Sequence, residues 1–213
     1  MKKTSKRTVA SRKRSPPRRL APRPRRPLAH EDALVAFADL AKRLRLRWYV
    51  FGAQAVNVHG FPRATADLDL TIDLRSGPTR SFVRALDTAG FTLRFADAGF
   101  VATTRVLPVV HRRSALPVDL VLAGPGLEQL FLDDLHIEHI GRRDIPFLSA
   151  ENLIVTKLLA GRPKDLEDVR GLLARRCVTL DHARIESLLS QLEAALDQRD
   201  LLPLYRKLRS HAG

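Results

Sequence analysis

The order of hydrophobic and polar positions predicts helices and strands along almost the whole chain. Between residues 31 and 46, apolar side chains recur every three or four positions, which is typical of a helix with one buried face. A short apolar run at 48–51 predicts a buried strand, and alternating polar and apolar side chains at 67–73 predict a half-buried strand. Two further helices are predicted at 53–59 and 79–89.

The second half of the chain continues this mixed pattern and then becomes helical. Residues 100–110 and 117–122 are rich in β-branched and apolar side chains and predict two strands joined by a basic turn at 111–114. Shorter strands are predicted near 135–140 and 144–147, and four helices follow at 150–160, 164–175, 181–197 and 200–209. The expected fold class is therefore α+β: a mixed β-sheet with flanking helices, followed by a C-terminal helical region.

Charge and composition divide the chain into three parts, at 1–29, 30–147 and 148–213. The formal net charge is +14, but residues 1–29 hold 12 of the 37 Lys and Arg side chains and no acidic one. The remaining residues are nearly neutral, with 25 basic and 23 acidic side chains. Because the first part also holds five prolines and few apolar side chains, we expect a disordered basic tail. Two interpretations of this tail stay open, a segment that binds RNA or another polyanion and a solvated extension.

Cysteine usage and hydrophobicity exclude several classes of protein. The single cysteine, Cys177, excludes an internal disulfide and a cysteine-cluster metal site. No apolar run approaches the roughly 20 residues of a membrane-spanning helix, so we expect no membrane partner. The expected location is the cytoplasm.

Three aspartates on predicted strands are the candidate chemistry of this sequence. Asp67 and Asp69 are two positions apart on one strand, so both carboxylates project from the same face. Asp119, flanked by apolar side chains in the strand 117–122, is a third acid of the same kind. Like charges held this close repel each other, and a divalent cation such as Mg²⁺ converts the repulsion into binding. The turn at Gly52, where a strand gives way to a helix, adds free backbone N–H groups suited to phosphate.

This arrangement resembles the polymerase-beta-like nucleotidyltransferase superfamily. Within it, the stretches FGAQAVNVHGFPRATADLDLTID and LIVTKLLAGRPKDLEDV resemble the AbiEii-type nucleotidyltransferase toxins of type IV toxin–antitoxin systems. The resemblance covers roughly residues 31–200, which is everything except the tail. It implies that residues 30–147 form a catalytic core and that residues 148–213 complete the nucleotide site.

The resemblance also implies roles for individual residues. The triphosphate loop would comprise Gly52, Ala53 and Gln54. The metal ligands, for Mg²⁺ or Mn²⁺, would be Asp67, Asp69 and Asp119. Contacts to the nucleotide from the helical region would come from Lys157, Asp165 and Asp168. Ala53 departs from the family pattern, which usually has glycine or serine there, so a serine hydroxyl cannot contact phosphate at this position.

Each candidate also has a structural interpretation. The three strand acids could be solvent-facing, and Asp73, on the same strand face, could replace one of them. Lys157 could belong to the polar face of its helix, and Asp165 and Asp168 could stabilise a helix N-terminus. Arg63 and Thr65 could contact phosphate or shape a turn. His59 could be a packed histidine rather than a ligand, and the turn at 111–114 could be a solvated loop rather than a contact to RNA. Cys177 is expected to be inert.

The implied activity is metal-dependent transfer of a nucleoside monophosphate from an NTP to an acceptor hydroxyl. The resemblance favours a tRNA 3′ end as acceptor, a role as a toxin and a cognate antitoxin as partner. Nucleotidylation of a protein or a small molecule is the first alternative. A catalytically inactive module that binds RNA or protein is the second.

Overall fold

A computed structural model describes residues 29–74, 77–95, 97–176 and 178–212. The predicted basic tail lies outside these residues, except for Ala29, which begins the first helix. The prediction for Cys177 also lies outside them.

The described residues form a mixed sheet with helices packed around it. Its strands are β1 (Trp48–Val50), β2 (Leu68–Ile72), β3 (Phe91–Leu93), β4 (Val106–His111), β5 (Leu116–Leu122), β6 (Leu135–Ile140) and β7 (Arg143–Leu148). The helices are α1 (Ala29–Leu44), α2 (Gly52–Val58), α3 (Arg80–Thr88), α4 (Ala98–Thr104), α5 (Leu127–Phe131), α6 (Ala150–Ala160), α7 (Pro163–Arg176), α8 (His182–Leu196) and α9 (Leu201–Ser210). This architecture confirms the predicted fold class.

The sheet has the strand order β3-β4-β5-β2-β1-β7-β6. Strands β2 and β5 are neighbours and run parallel, with Asp69 directly opposite Asp119. Strands β1 and β2 are antiparallel, as are β4 and β5, so the sheet is mixed. Because side chains alternate between faces along a strand, this register places both carboxylates on one face while Leu68, Leu70 and Leu120 are buried on the other.

Apolar side chains of α1 fill the core beneath the sheet. Phe37 is completely buried and meets the rings of Trp48 and Phe91 edge-on, with centroid distances of 5.0 and 5.9 Å. On another side of the molecule, α6 packs against α2, α7, α8 and α9. Helix α6 buries residues around most of its circumference, which explains why its sequence is apolar almost throughout. These contacts bring the helical region beside the turn at Gly52.

The prediction of one continuous strand at 100–110 was wrong. Its first half belongs to α4, which begins after Asp97, and the Asp97 carboxylate accepts hydrogen bonds from the backbone N–H groups of Gly99 and Phe100. The chain then turns at Arg105, with φ of 58°, before β4 begins. The β-branched side chains in this segment favoured a strand, but the aspartate cap decides the local structure. Strand β3 and helix α5 were not predicted.

The other predicted elements are present within a few residues of their expected ends. Among the residues that the structure describes, no helix combines the length and the apolar character that crossing a membrane requires. The three-part division of the chain stays a prediction.

Candidate active site

A tight turn at Gly52 brings the start of α2 against Asp69. The backbone N–H of Phe51 donates to the carbonyl of Asp69 at 3.1 Å, and Gly52 follows with φ of +64°. A Cβ atom placed on Gly52 would lie 2.0 Å from Oδ2 of Asp69, which is far inside contact distance. Glycine is therefore required here twice, for the left-handed backbone and for the close approach of the carboxylate.

The three predicted carboxylates lie around one cleft. Asp67 comes just before β2 and accepts a hydrogen bond from Oγ1 of Thr65 at 2.6 Å. Asp69 is partly buried within β2, and Asp119 lies opposite it in β5. Burial raises the pKa of Asp69 to about 6, with further contributions from the negative charges of Asp67 and Asp119. The positive charge of Lys157 lowers this pKa in part. The carboxylate side of the cleft is therefore short of positive charge.

The donor chemistry of this side fits a hard divalent cation. The carboxylate oxygens of Asp67, Asp69 and Asp119 are of the kind that Mg²⁺ and Mn²⁺ bind together with water and substrate phosphates. In the described ranges, no three His, Cys, Asp or Glu side chains lie close enough to hold a metal ion as they stand. Among the described residues, no arginine pairs directly with Asp67 or Asp69, whereas Asp119 accepts a hydrogen bond from the guanidinium of Arg94. The residues therefore fit a cation that also takes ligands from a bound nucleotide.

A buried network of ion pairs forms the opposite wall. Nζ of Lys157, on α6, lies 2.6 Å from Oδ2 of Asp168 and 3.1 Å from Oδ1 of Asp165, both on α7. Asp168 also accepts a hydrogen bond from Arg63 at 2.6 Å, and Asp165 accepts one from Nε of Arg162 at 2.5 Å. The side chains of Lys157, Asp165 and Asp168 are between 2 and 7% exposed. Charged groups this deeply buried require partners, and here each carboxylate has two.

The network stabilises the charged form of Asp165. Burial alone would raise the pKa of Asp165, but the hydrogen bonds from Arg162 and Lys157 outweigh it and hold this pKa below its ordinary value. Asp165 is therefore ionised at neutral pH. Lys157, predicted to contact phosphate, is already shared between two carboxylates, and Asp165 and Asp168 anchor it.

The cleft between the two walls has a volume of about 510 Å³. It is lined by most of the predicted residues, namely Gly52, Ala53, Arg63, Thr65, Asp67, Asp69, Asp119, Lys157 and Asp165. Gln54 is half-buried and Asp168 is buried, and neither belongs to the lining. Thr156, Arg162 and Lys164 also line the cleft and were not predicted. A sequence signal for Arg162 and Lys164 was present, because glycine at 161 and proline at 163 indicate the end of one helix and the start of the next. In the structure, Gly161 ends α6 in the left-handed conformation and Pro163 begins α7.

Asp73 and His59, for which the sequence left alternatives open, are not part of the cleft lining. Asp73 lies beyond the end of β2 and lines a different cavity, of about 1060 Å³. His59 is buried, with Nε2 2.7 Å from the carbonyl of Leu148 and Nδ1 2.7 Å from the guanidinium of Arg176. Because the guanidinium can only donate, Nδ1 accepts and Nε2 carries the proton. Burial lowers the pKa of His59, so it is a neutral, packed histidine.

The basic turn at 111–114 is tied to the rest of the fold. His111 is buried and its Nδ1 lies 2.7 Å from Oγ of Ser114. Arg112 donates to Asp87 of α3 at 2.6 Å and to Thr92 of β3 at 2.9 Å. These contacts give His111 and Arg112 a structural role in the turn.

Two solved structures have a fold similar to that of this chain. The solution structure of the antibiotic-resistance factor ANT(2'')-Ia aligns with a TM-score of 0.52 and 13% identity, covering 79% of this chain and 94% of that chain. The crystal structure of ANT(2'')-Ia in complex with adenylyl-2''-tobramycin aligns with a TM-score of 0.53 and 14% identity, covering 79% and 99%. The sequence itself matches no protein-family model and no curated protein. The chain thus shares the fold of ANT(2'')-Ia.

Proposed function

We propose that this chain is a metal-dependent nucleotidyltransferase, which transfers a nucleoside monophosphate from an NTP to an acceptor hydroxyl. The observation that carries the proposal is the pairing of two unlike walls in one cleft. The carboxylates of Asp67, Asp69 and Asp119 line the same cleft as the cationic side chains of Arg162 and Lys164. A nucleoside triphosphate bridged by a divalent cation is complementary to both walls.

Each wall has a part in this reaction. Asp67 and Asp69 would hold a divalent cation, which when bound supplies positive charge to the phosphate oxygens. Lys164 and Arg162 would bind the β- and γ-phosphates, since both residues line the cleft and Lys164 lies in the first turn of α7. Lys157 would act mainly by anchoring α6 to α7, because both of its partners are carboxylates.

The transfer itself is a displacement at phosphorus. The acceptor oxygen forms a bond to the α-phosphorus, the bond from that phosphorus to the bridging oxygen breaks, and pyrophosphate leaves. Asp119 would receive the proton of the acceptor hydroxyl after releasing Arg94. Positioning and charge neutralisation would supply most of the rate enhancement, as in other phosphoryl transfers.

The resemblance to AbiEii-type toxins favours a tRNA 3′ end as the acceptor. The basic tail supports this choice, because 12 positive side chains within 29 residues would attract RNA through salt-sensitive phosphate contacts. An AbiEii-type toxin would act in the cytoplasm and have a cognate antitoxin as partner. A small-molecule acceptor is the second candidate, favoured by the fold shared with a structure that holds adenylyl-2''-tobramycin.

The test is transfer of label from each α-³²P-labelled NTP, with Mg²⁺ or Mn²⁺, to total tRNA or to an aminoglycoside. We expect label on tRNA, lost in Asp69→Asn and retained in Asp73→Asn, which removes a charge just beyond the end of β2 and outside the cleft. Deleting residues 1–28 should weaken transfer to tRNA and leave transfer to an aminoglycoside unchanged. Absence of transfer and of pyrophosphate release with every NTP and acceptor would contradict the proposal and favour an inactive binding module.

A further inference from the structure

Arg94 is placed beside the third carboxylate by the pairing of three strands. It follows β3 directly, and its backbone N–H donates to the carbonyl of Pro108 in β4 at 3.0 Å. Pro108 in turn lies opposite Asp119 in β5. The guanidinium of Arg94 reaches across β4 and donates to Oδ1 of Asp119. The backbone pairing of the three strands therefore positions both Arg94 and Asp119.

The three carboxylates differ in their direct partners. Asp67 accepts from a threonine hydroxyl, and Asp69 interacts with Lys157 and Arg162 only through their charges. Asp119 alone among these three is paired directly with a guanidinium. A charge-assisted hydrogen bond of this kind occupies one of the two oxygens of the Asp119 carboxylate and offsets the negative charge that would attract a divalent cation.

Arginine is suited to occupying such a position. Its guanidinium keeps its charge at every physiological pH, so Asp119 can be released only when the side chain moves. Movement is open to it, since the side chains of Arg94 and Asp119 are 36 and 32% exposed. The pair therefore resembles a surface ion pair, whose small net free energy a competing cation can exceed.

We propose that Arg94 is a positioning residue that competes with the divalent cation for Asp119. In the resting protein it neutralises and orients this carboxylate, and Asp119 joins Asp67 and Asp69 only after Arg94 has turned away. The inference rests on the proposed function, because it assumes a cation at Asp67 and Asp69. It predicts that the side chain of Arg94 lowers the affinity of the free protein for the cation.

The test is direct binding of Mn²⁺ to the full chain without nucleotide, followed by the electron paramagnetic resonance signal of free Mn²⁺. Arg94→Met removes the guanidinium and keeps most of the side-chain length. We expect it to tighten Mn²⁺ binding roughly twofold to fivefold, the upper part of the range that corresponds to one exposed ion pair. Arg112→Met is the matched control, since Arg112 pairs with Asp87 near the same edge of the sheet and should leave Mn²⁺ affinity unchanged.

A second pair of variants assigns the effect to Asp119. In an Asp119→Asn background, Arg94→Met should no longer tighten Mn²⁺ binding, because the competition has been removed. Equal tightening with and without Asp119, or unchanged or weakened binding in Arg94→Met alone, would overturn the inference.

Asp69→Asn separates this inference from the proposed function. If Asp69→Asn weakens Mn²⁺ binding while Arg94→Met has no effect, the role of Arg94 is refuted and the cation site stands. If Asp69→Asn leaves Mn²⁺ binding unchanged, the proposed cation site itself is refuted, and the role of Arg94 with it.

Discussion

Substituting Gly52 by alanine tests the geometry of the site most directly. The added Cβ would lie 2.0 Å from Oδ2, 2.9 Å from Cγ and 3.2 Å from Cβ of Asp69. Rotating the carboxylate relieves the first two contacts, but the third requires the turn and β2 to move apart. The substitution thus displaces a proposed metal ligand without removing it.

Gly141 provides a control with the same backbone conformation. Its φ is +62° against +64° at Gly52, and a Cβ there would have no heavy atom within 4 Å. Alanine in the left-handed conformation costs about 1–2 kcal/mol at either position. At Gly52 the forced contact adds about 1–3 kcal/mol, as overpacking does elsewhere. The difference between the two variants therefore isolates the contact with Asp69.

The assay is thermal unfolding of both variants beside label transfer from the preferred NTP. For a protein of this size, 1 kcal/mol corresponds to about 2–4 °C in Tm. We expect Gly141→Ala to lower Tm by about 2–8 °C with full activity, and Gly52→Ala to lower Tm further. Activity of Gly52→Ala should fall roughly a hundredfold, the effect of displacing a catalytic group by about 1 Å. If Gly52→Ala has the same Tm as Gly141→Ala and keeps its activity, the close approach of Gly52 and Asp69 is not required and the reasoning is refuted.

Four further substitutions test the buried network, the cleft, the packing of α7 and the carboxylates. Lys157→Met should destabilise the fold by about 3–5 kcal/mol in denaturant unfolding, since it leaves two buried carboxylates short of a partner. Lys164→Met should leave stability unchanged but reduce label transfer at least about tenfold, because a hydrogen bond to a charged phosphate contributes about 1.5–3 kcal/mol. Gly171→Ala, normally stabilising within a helix, should lower Tm because its Cβ would lie 2.4 Å from the ring of Phe61. Asp69→Asn should raise Tm in metal-free buffer at pH 8, and the gain should shrink as pH falls below 6.

The sign of the last effect follows from the pKa of Asp69. Because burial and the neighbouring carboxylates raise this pKa to about 6, the ionised form destabilises the folded protein above pH 6. That cost disappears as pH falls from 6 towards the unfolded value of 3.8. A gain in Tm that is equal at pH 8 and pH 4 would contradict this assignment. For the other three substitutions, equal stability losses in Lys157→Met and Lys164→Met, or a higher Tm in Gly171→Ala, would contradict the described packing.

The central part of the site could be predicted because it depends on local pattern. Alternation along β2 determines that Asp67 and Asp69 leave the sheet on one face, and apolar neighbours do the same for Asp119. Glycine followed by a helical pattern indicated the turn at Gly52. None of these predictions needs knowledge of which strands are neighbours, although only the fold shows Asp69 opposite Asp119.

The parts that could not be predicted depend on distant contacts. Arg94 reaches Asp119 across β4, and no sequence spacing encodes that register. The partners of Lys157 were among the predicted residues, but its burial results from the packing of α6 against α7. Helix α4 was missed because β-branched side chains outweighed the capping signal of Asp97.

The segment 59–63 joins the two halves of the chain into one folding unit. His59 hydrogen-bonds Leu148 and Arg176, the ring of Phe61 covers Gly171, and Arg63 pairs with Asp168. A fragment that ends at residue 147 would lose all of these partners and expose the segment that leads into Asp67. We therefore expect the sheet and the C-terminal helices to unfold in a single cooperative transition, and separately expressed halves to recover activity only when they reassociate.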